Sequence, residues 1–483
     1  MAARVVILAA GRGTRMRSQL PKVLHPACGL PLIDWVLEAA RDAGPLPPVV
    51  VVAPGAQALR QHLEGRATVV EQPEPRGTGD AVRAARPLLA GDDPVVVLYG
   101  DVPLLRSETV RRLLDRFEAG GVDAVLLTAM TADPTGYGRV LRDPEGAFVR
   151  VVEEPDLPAL PRPDPGPGPT VEVNTGAYVF APAALWDALD RLGSDNAQQE
   201  IYLTDAPARL GRVATVELGD PEEMLGVNDR VQLAAAAASL RRRVLTRLMR
   251  SGVTVEDPAT TYVDAGVEVG PDSVLRPGSV LAGRTRLGRA CVVGPFAQLE
   301  DTEAGDRCRI ATAHLAGCRL GDGVTIGPFN RIRPGSVLED HSRLGTFTEV
   351  ARSRVGPHSL VPHLTYLGDA TLGRDVNVGA GTITANWDGR DKHATVIGDG
   401  ARVGSDTILV APVTVGAGAY TGAGSVITRD VPAGSLGLAR ARQRTLLGWV
   451  ARRAGRRAPA SRDNGEARPP ARAADRTPGG EPG

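Results

Sequence analysis

The residues best suited to chemistry lie near the start of the chain, where Leu8-Ala9-Ala10-Gly11-Arg12-Gly13-Thr14-Arg15-Met16 is followed by Leu20-Pro21-Lys22-Val23-Leu24. A glycine-containing turn behind a β-rich run lets backbone N–H groups approach phosphate oxygens with no Cβ in the way, and nearby cations neutralise a polyphosphate. The cation inventory singles out one position. Of 56 lysines and arginines only Lys22 and Lys392 are lysine. A chain that uses arginine almost everywhere else keeps a compact ammonium at 22, where a point charge suits a phosphate. Tyr99-Gly100-Asp101 ends a second apolar run and sets a carboxylate at the carboxyl edge of a parallel sheet. Taken alone, Asp101 reads as a helix N-cap.

Such groups need rigid elements to hold them. Residues 4–8 read as a buried strand entering the glycine loop. Further strand-like runs cover 49–52, 95–99 and 124–127, and they alternate with helix-like stretches such as 32–43, which Gly44 can terminate. This alternation predicts an α/β fold with a mostly parallel, Rossmann-like sheet. A Pro-rich stretch over 155–169 breaks the pattern and is expected to be a surface loop.

The pattern changes at Asn228. Asp229 is placed to cap an Ala/Leu/Arg-rich connecting helix over 229–250, with Gly252 near its stop. Beyond it an aliphatic residue recurs every sixth position through Val269, Leu275, Leu281, Leu287, Val293 and Leu299, then from Leu320 to Val350. After slips in phase the repeat resumes at Val355, Leu372 and Ile397 and runs to Val415. Neither a helix nor plain alternation makes that period. Hexads stack as a parallel β-helix, in which each inward aliphatic is covered by the next coil. The repeat fades after about 436, and the Arg/Ala/Pro-rich end from about 451 is expected to be disordered.

A chain of 483 residues with 42% hydrophobic content predicts more than one core, and zero formal net charge exerts no general pull on nucleic acid or an anionic membrane. No apolar run is long enough for a bilayer, and Met1-Ala2-Ala3-Arg4 lacks a signal-peptide pattern. A cytoplasmic protein with no nucleic-acid or membrane partner is therefore expected. Cys28, Cys291, Cys308 and Cys318 have neither disulfide density nor metal-ligand spacing, and are expected to be free thiols.

The segments over 8–16 and 20–24 resemble the signature of sugar-phosphate nucleotidyltransferases. His363-Leu364-Thr365-Tyr366-Leu367-Gly368-Asp369, Asn377-Val378-Gly379-Ala380-Gly381-Thr382 and Asn386-Trp387-Asp388-Gly389 closely resemble the bacterial bifunctional GlmU family, and the likeness extends over nearly the whole chain. The resemblance implies a nucleotidyltransferase domain over 1–228, the connecting helix over 229–250, a left-handed β-helix acetyltransferase domain over 251–436 and a C-terminal segment over 437–483. The left hand comes from the resemblance alone, because ordinary parallel crossovers are right-handed. The implied activity is synthesis of UDP-N-acetylglucosamine. Acetyl-CoA acetylates glucosamine 1-phosphate, and N-acetylglucosamine 1-phosphate then attacks UTP with the help of Mg²⁺ to release pyrophosphate. A homotrimer with acetyl sites between subunits is implied as well.

For the uridylyl step the resemblance assigns Leu8, Ala9, Ala10, Gly11, Lys22, Gln72, Gly77, Thr78, Tyr99, Gly100 and Asp101 to the nucleotide. It assigns Gly138, Glu153, Asn174 and Thr204 to the sugar, Asp101 and Asn228 to the metal, and Arg15 and Lys22 to charge stabilisation. For the acetyl step an ammonium has no lone pair with which to attack a thioester, so a base is needed; His363 is the candidate. Glu349 is expected to orient it, beside Arg333, Tyr366 and Asn377 in the glucosamine 1-phosphate site. Ala380, Asn386, Trp387, Lys392, Ser405, Ala423 and Arg440 are expected to line acetyl-CoA. Trp387 stands where the family has tyrosine. Ala351 stands where it has lysine, which leaves the sugar phosphate to Arg333 and, by expectation, Arg352. The alternative is a nucleotidyltransferase whose β-helix only assembles or regulates it.

Overall fold

Runs of β-branched residues dictate the first half. Strands β1 (Arg4–Ala9), β2 (Val49–Val52), β3 (Thr68–Glu71), β4 (Val95–Tyr99), β5 (Ala124–Thr131), β6 (Arg139–Arg142), β7 (Phe148–Val152), β8 (Val171–Phe180) and β9 (Val213–Glu217) form one sheet. Its order is β9-β5-β8-β4-β1-β2-β3, with the β6–β7 hairpin attached along β8. The computed structural model describes residues 3–89, 91–157 and 170–455. Neighbours along the path are parallel except β8, which runs antiparallel to β4 and β5. The expected, mostly parallel sheet thus carries one reversed strand along its path, and β7 of the attached hairpin runs in the same reversed direction.

Alternate residues enter opposite cores. Val5, Ile7, Val50, Val52, Val96 and Leu98 face one side, and Val6, Leu8, Val49, Val51, Val95 and Val97 the other. Burial on both faces is why these strands read as unbroken apolar runs. Of helices α1 (Leu32–Ala40), α2 (Gln57–Leu63), α3 (Thr78–Ala85), α4 (Ser107–Glu118) and α5 (Pro182–Asp190), the first, second and fourth cover one face and the other two the opposite face. The helix expected over 32–43 tightens into a 3₁₀ turn at Arg41–Ala43 before Gly44. β1 lies between β4 and β2, with Leu8 opposite Tyr99 and Ala9 opposite Val52. The chain leaves β1 toward β2 and returns on the other side as β4, so a crevice opens at the carboxyl ends of β1 and β4.

Helix α6 (Arg230–Arg250) starts as its sequence suggests, with Asp229 accepting from the backbone N–H groups of Val231 and Gln232, both at 2.9 Å. Its first half packs on Leu32, Leu104 and Val227, while Val244, Leu245 and Leu248 join the core of the second half. There, short strands pair in parallel with their counterparts one coil later: Val274 and Leu275 with Val292 and Val293, and these with Arg309 and Ile310. Stacks of nineteen and nine strands result. Every hexad aliphatic named above is buried in one continuous core. Cys291, Cys308 and Cys318 are buried there as free thiols, and Cys28 is also free.

Residues 158–169 of the Pro-rich stretch lie outside the described residues, as does the chain beyond 455. The described residues 439–455 belong to a separate unit from the part of the chain that ends at Leu438. There α7 (Trp449–Gly455) is helical, with the Arg453 guanidinium 5.1 Å from the centre of the Trp449 ring, and the rest of the stretch expected to be disordered lies outside the described residues.

Coil stacking leaves little room at the corners. A Cβ on Gly345 would stand 1.7 Å from the Pro362 carbonyl oxygen of the next coil, which cannot yield without parting the two. Gly345→Ala is expected to destabilise the fold by about 1–3 kcal/mol or more, the usual cost of overpacking. Gly193→Ala, where nothing lies within 4 Å, should stay within about 0.5 kcal/mol. Chemical-denaturation midpoints measure both.

Candidate active sites

The crevice at β1 and β4 is a cavity of about 500 Å³, lined by Leu8, Ala9, Ala10, Gly11, Arg12, Lys22, Val23, Gln72, Pro75, Gly77, Thr78, Ala81, Tyr99, Asp101 and Glu200. Gly13 has φ near +59°, and a Cβ there would fall 2.7 Å from the Lys22 Cβ, so glycine is what lets the loop close on the lysine. The Lys22 ammonium donates to Asp101 Oδ2 and, at 3.1 Å, to Asn228 Oδ1. The lysine side chain is 11% exposed and that of Asp101 21%. Asp101 is no helix cap, because α4 begins at Ser107 behind Arg106. The Val227 N–H donates to the Asp101 carbonyl at 2.8 Å and pins the Asn228 loop beside β4.

Asp101 and Asn228 therefore aim oxygen donors at one point, which a cation already occupies in the form of the ammonium. Hard oxygens in small number suit Mg²⁺, which completes its shell with water and phosphate. Among the described residues no group of three or more His, Cys, Asp or Glu could hold a metal.

Gln72 is not a surface amide: it is 4% exposed and donates to the Gly77 carbonyl at 3.0 Å and Asp80 Oδ2 at 3.1 Å. Gly100 underlies the cavity, its N–H on the Leu8 carbonyl at 2.9 Å. Gly138, Glu153, Asn174 and Thr204 form a second group. Thr204 Oγ1 donates to Glu153 at 2.8 Å, the Asn174 N–H to the Gly138 carbonyl at 2.9 Å, and the Asn174 amide to the Tyr178 hydroxyl at 2.7 Å. Burial pushes the Glu153 carboxyl up, against the pull of the Thr204 hydrogen bond and with added repulsion from Asp205 and Asp156. Burial also raises the Tyr99 phenol, which feels Glu153 and so links this group to the cavity. Arg15 sits apart, exposed on the turn Thr14–Met16 whose Met16 is buried; Arg12, not Arg15, lines the cavity.

In the second half two nine-residue strands, β10 (Arg343–Ala351) and β11 (Leu360–Gly368), pair from end to end. Arg331, Glu349, Tyr366 and Ile383 occupy successive rungs. Arg333 Nη1 donates to Glu349 Oε1 at 3.2 Å. His363 stands opposite Thr346 at an exposed corner, and its ring has no hydrogen-bond partner among the described residues. The expected Glu349–His363 contact is not made within the chain, since Glu349 turns to Arg333. Asn377 aligns with Leu360, around the corner from Tyr366.

Ala351 is fully buried. Arg352, at φ +48°, is not a free cation, because its Nε and Nη2 donate to Asp369 at 2.7 and 2.8 Å. This double hydrogen bond holds the Asp369 carboxyl below its ordinary range, with help from Asn386 and Lys392. On the acyl side, the Asp406 N–H donates to the Ala380 carbonyl at 2.7 Å and the Gly424 N–H to the Ser405 carbonyl at 2.8 Å, so Ala380, Ser405 and Ala423 recur on successive coils. Asn386 is buried, whereas Trp387 is 57% exposed and bridges to Lys392 across a hairpin. Asp388 locks that hairpin: it accepts from the Asp391 and Arg390 N–H groups and pairs with His393 at 2.7 Å, and these bonds draw its carboxyl down to about 2. Arg440 belongs to the separate C-terminal unit.

The model of the MobA-like NTP transferase domain matches residues 5–208, and that of bacterial transferase hexapeptide (six repeats) matches 394–429. Over 452 residues the chain is 47% identical to a Bifunctional protein GlmU of Pelobacter propionicus, covering 92% of this chain and 97% of that one. Proteins of the same name from Kineococcus radiotolerans and Mycolicibacterium gilvum are 47% and 45% identical over 457 and 464 residues, each match covering 93% of this chain and 92% of the relative. The chain belongs to the bifunctional GlmU family. It is an enzyme with a nucleotidyltransferase half and a hexapeptide acyltransferase half.

Within this GlmU family member, the sequence motifs point to the glycine loop and Lys22 but not to Pro75, Ala81 or Glu200 in the cavity wall. Glu200 arrives there because Ile201 exchanges backbone hydrogen bonds with Arg76 and Gly79, at 2.7 and 2.8 Å, a pairing that no local pattern announces. Well below the ordinary carboxyl range Glu153 is protonated in both folded and unfolded chains. As pH rises through its raised folded value, the folded state loses stability relative to the unfolded one. Glu153→Gln keeps an oxygen for Thr204 and removes the charge. It is expected to raise the melting temperature at pH 7.5 but not at pH 4, while nucleotidyl transfer falls about tenfold or more through a lost charge-assisted hydrogen bond. Thermal melts at the two pH values and a pyrophosphate-release assay check this.

Proposed function

We propose that the chain makes UDP-N-acetylglucosamine by two reactions in succession: acetyl-CoA-dependent N-acetylation of glucosamine 1-phosphate on the β-helix, then uridylyl transfer from UTP to N-acetylglucosamine 1-phosphate in the crevice at β1 and β4. The observation that carries the uridylyl assignment is the convergence of Asp101 and Asn228 on the Lys22 ammonium beside a glycine loop. A sugar 1-phosphate oxygen attacks the α-phosphorus of UTP and pyrophosphate leaves. Little covalent chemistry falls to the protein, so positioning and charge neutralisation dominate. Lys22 faces the phosphates, Gln72 and the Gly77-Thr78 turn face the base, and Glu153, Asn174 and Thr204 face the sugar. Mg²⁺ held by Asp101 and Asn228 supplies further neutralisation of the triphosphate.

In the acetyl step the glucosamine ammonium gives up a proton to His363, and the freed amine attacks the thioester carbonyl, releasing CoA. Arg333 serves the sugar phosphate, and Trp387 and Lys392 serve the acyl donor. A homotrimer is the assembly proposed. In support, Phe296, Phe329, Phe347 and Leu364 are 55–66% exposed, Phe329 stacks on Phe347 at 5.2 Å, and Leu364 adjoins the unpartnered His363 ring. The proposed compartment is the cytoplasm; among the described residues no helix is long and apolar enough to cross a membrane.

Single substitutions separate the two activities. Asp101→Ala is expected to abolish pyrophosphate release and spare CoA release. His363→Ala should do the reverse, lowering the acetyl-transfer rate about 10²- to 10⁴-fold, the usual contribution of a general base. EDTA should stop pyrophosphate release while CoA release continues. With glucosamine 1-phosphate and acetyl-CoA supplied to one assay, and N-acetylglucosamine 1-phosphate and UTP to the other, loss of both products in either folded variant refutes independent sites.

A further inference from the structure

Among the carboxylates of the acyl half that the reaction above leaves unused, Asp369 joins groups from both sides of the site. Asp369 follows β11 at a left-handed corner, φ +49°. Its Oδ1 accepts from Arg352 Nε, and its Oδ2 accepts from both Arg352 Nη2 and the Asn386 amide. Its backbone is anchored too, the N–H on the Ala351 carbonyl at 3.0 Å and the carbonyl on the Thr395 N–H at 3.1 Å. Arg352 directly follows β10, which carries Glu349, while Asn386 opens the hairpin that carries Trp387 and Lys392. The Tyr366 hydroxyl and Asn386 Nδ2 lie 2.5 and 2.7 Å from where a Cβ on Gly368 would stand, so sugar-side and acyl-side groups meet at this point. The Asp369 side chain is 21% exposed, and partly buried charge pairs are screened far less than open ones.

We propose that Asp369 is a positioning residue that sets the sugar-phosphate and acyl-CoA sides of the acetyl site against each other by holding Arg352 and Asn386 at once. This rests on the acetyl-transfer reading given above. Asp369 forms and breaks no bond. It removes rotamer freedom from the arginine that follows the sugar-side strand β10 and from the amide that opens the acyl-side hairpin, so both substrates meet a surface that is already placed. Because one carboxylate holds both, loosening it weakens both substrates together.

The test uses the full chain. In Asp369→Asn the new residue tolerates the left-handed corner, and its neutral amide takes the charge out of all three hydrogen bonds and sets an NH2 against Arg352 Nε whenever its oxygen stays on Asn386. KM for acetyl-CoA and KM for glucosamine 1-phosphate are each expected to rise about tenfold or more, the scale of a lost charge-assisted hydrogen bond. The rate constant at saturation should hold within twofold, and unchanged uridylyl transfer reports an intact chain. Arg352→Ala should raise only the KM for glucosamine 1-phosphate, and should add nothing to that KM in the Asp369→Asn background. If Asp369→Asn loses uridylyl transfer, Asp369→Gly, which takes positive φ without strain, must show the same joint rise. The proposal is overturned if either KM stays within twofold of the parent, if the loss is all in the saturated rate, or if the two substitutions multiply. A parent chain that releases no CoA from acetyl-CoA and glucosamine 1-phosphate overturns the acetyl-transfer reading instead.

Discussion

The acyl half depends on one constraint: a coil can cover its inward aliphatic side chain only with the coils before and after it. Strands of two or three residues have too few hydrogen bonds to stand alone, and they persist because Leu275, Val293 and Ile310 stack in register through parallel pairing. The same constraint excludes bulk wherever one corner passes over the next, as at Gly345. It also sends polar side chains outward. Arg331, Glu349 and Tyr366 line up on consecutive rungs because the aliphatic between each rung and the next corner is committed to the core. A row of chemical groups is therefore a by-product of how the core is filled.

The nucleotidyltransferase half reaches the same end by concavity. Pairing of β1 with both β4 and β2 sends connections to opposite sides, and the loops after β1 and β4 are left to wall the crevice. An ion pair as sheltered as Lys22 with Asp101 adds little net stability, since desolvation consumes much of the attraction. What it does is hold the charges that face a polyphosphate in one arrangement before any ligand arrives. Helix α6 is shared by the two architectures. One end packs below the crevice and the other caps the first coil, so one 21-residue element joins both cores.

The acyl surface is organised by side-chain pairs. Arg333 with Glu349, Arg352 with Asp369 and Asp388 with His393 each bind side chains from neighbouring coils or across a hairpin. On an exposed face these pairs contribute modestly to stability. Their effect is geometric, because long side chains that would otherwise sample many rotamers are held in one. Trp387 and Lys392 owe their placement to the locked hairpin, and the departure from tyrosine at 387 leaves that backbone bridge in place.

Several features were legible in the sequence because their causes are local. The hexad period located the β-helix core residue by residue, since burial of every sixth aliphatic is a property of the repeat itself. Val49–Val52 and Val95–Tyr99 form the strands read from their apolar runs, and Asp229 caps α6 through N–H groups two and three residues ahead. Resemblance to a family named the site residues, but it did not determine their contacts. Lys22 meets Asn228 across 206 residues, Glu200 enters the crevice through the pairing of Ile201, Glu349 turns to Arg333 instead of His363, and Arg352 is taken by Asp369. These depend on which strand lies beside which and how the coils are registered. Side-chain partnerships are decided between elements once the cores have packed, and only the tertiary structure brings such elements together.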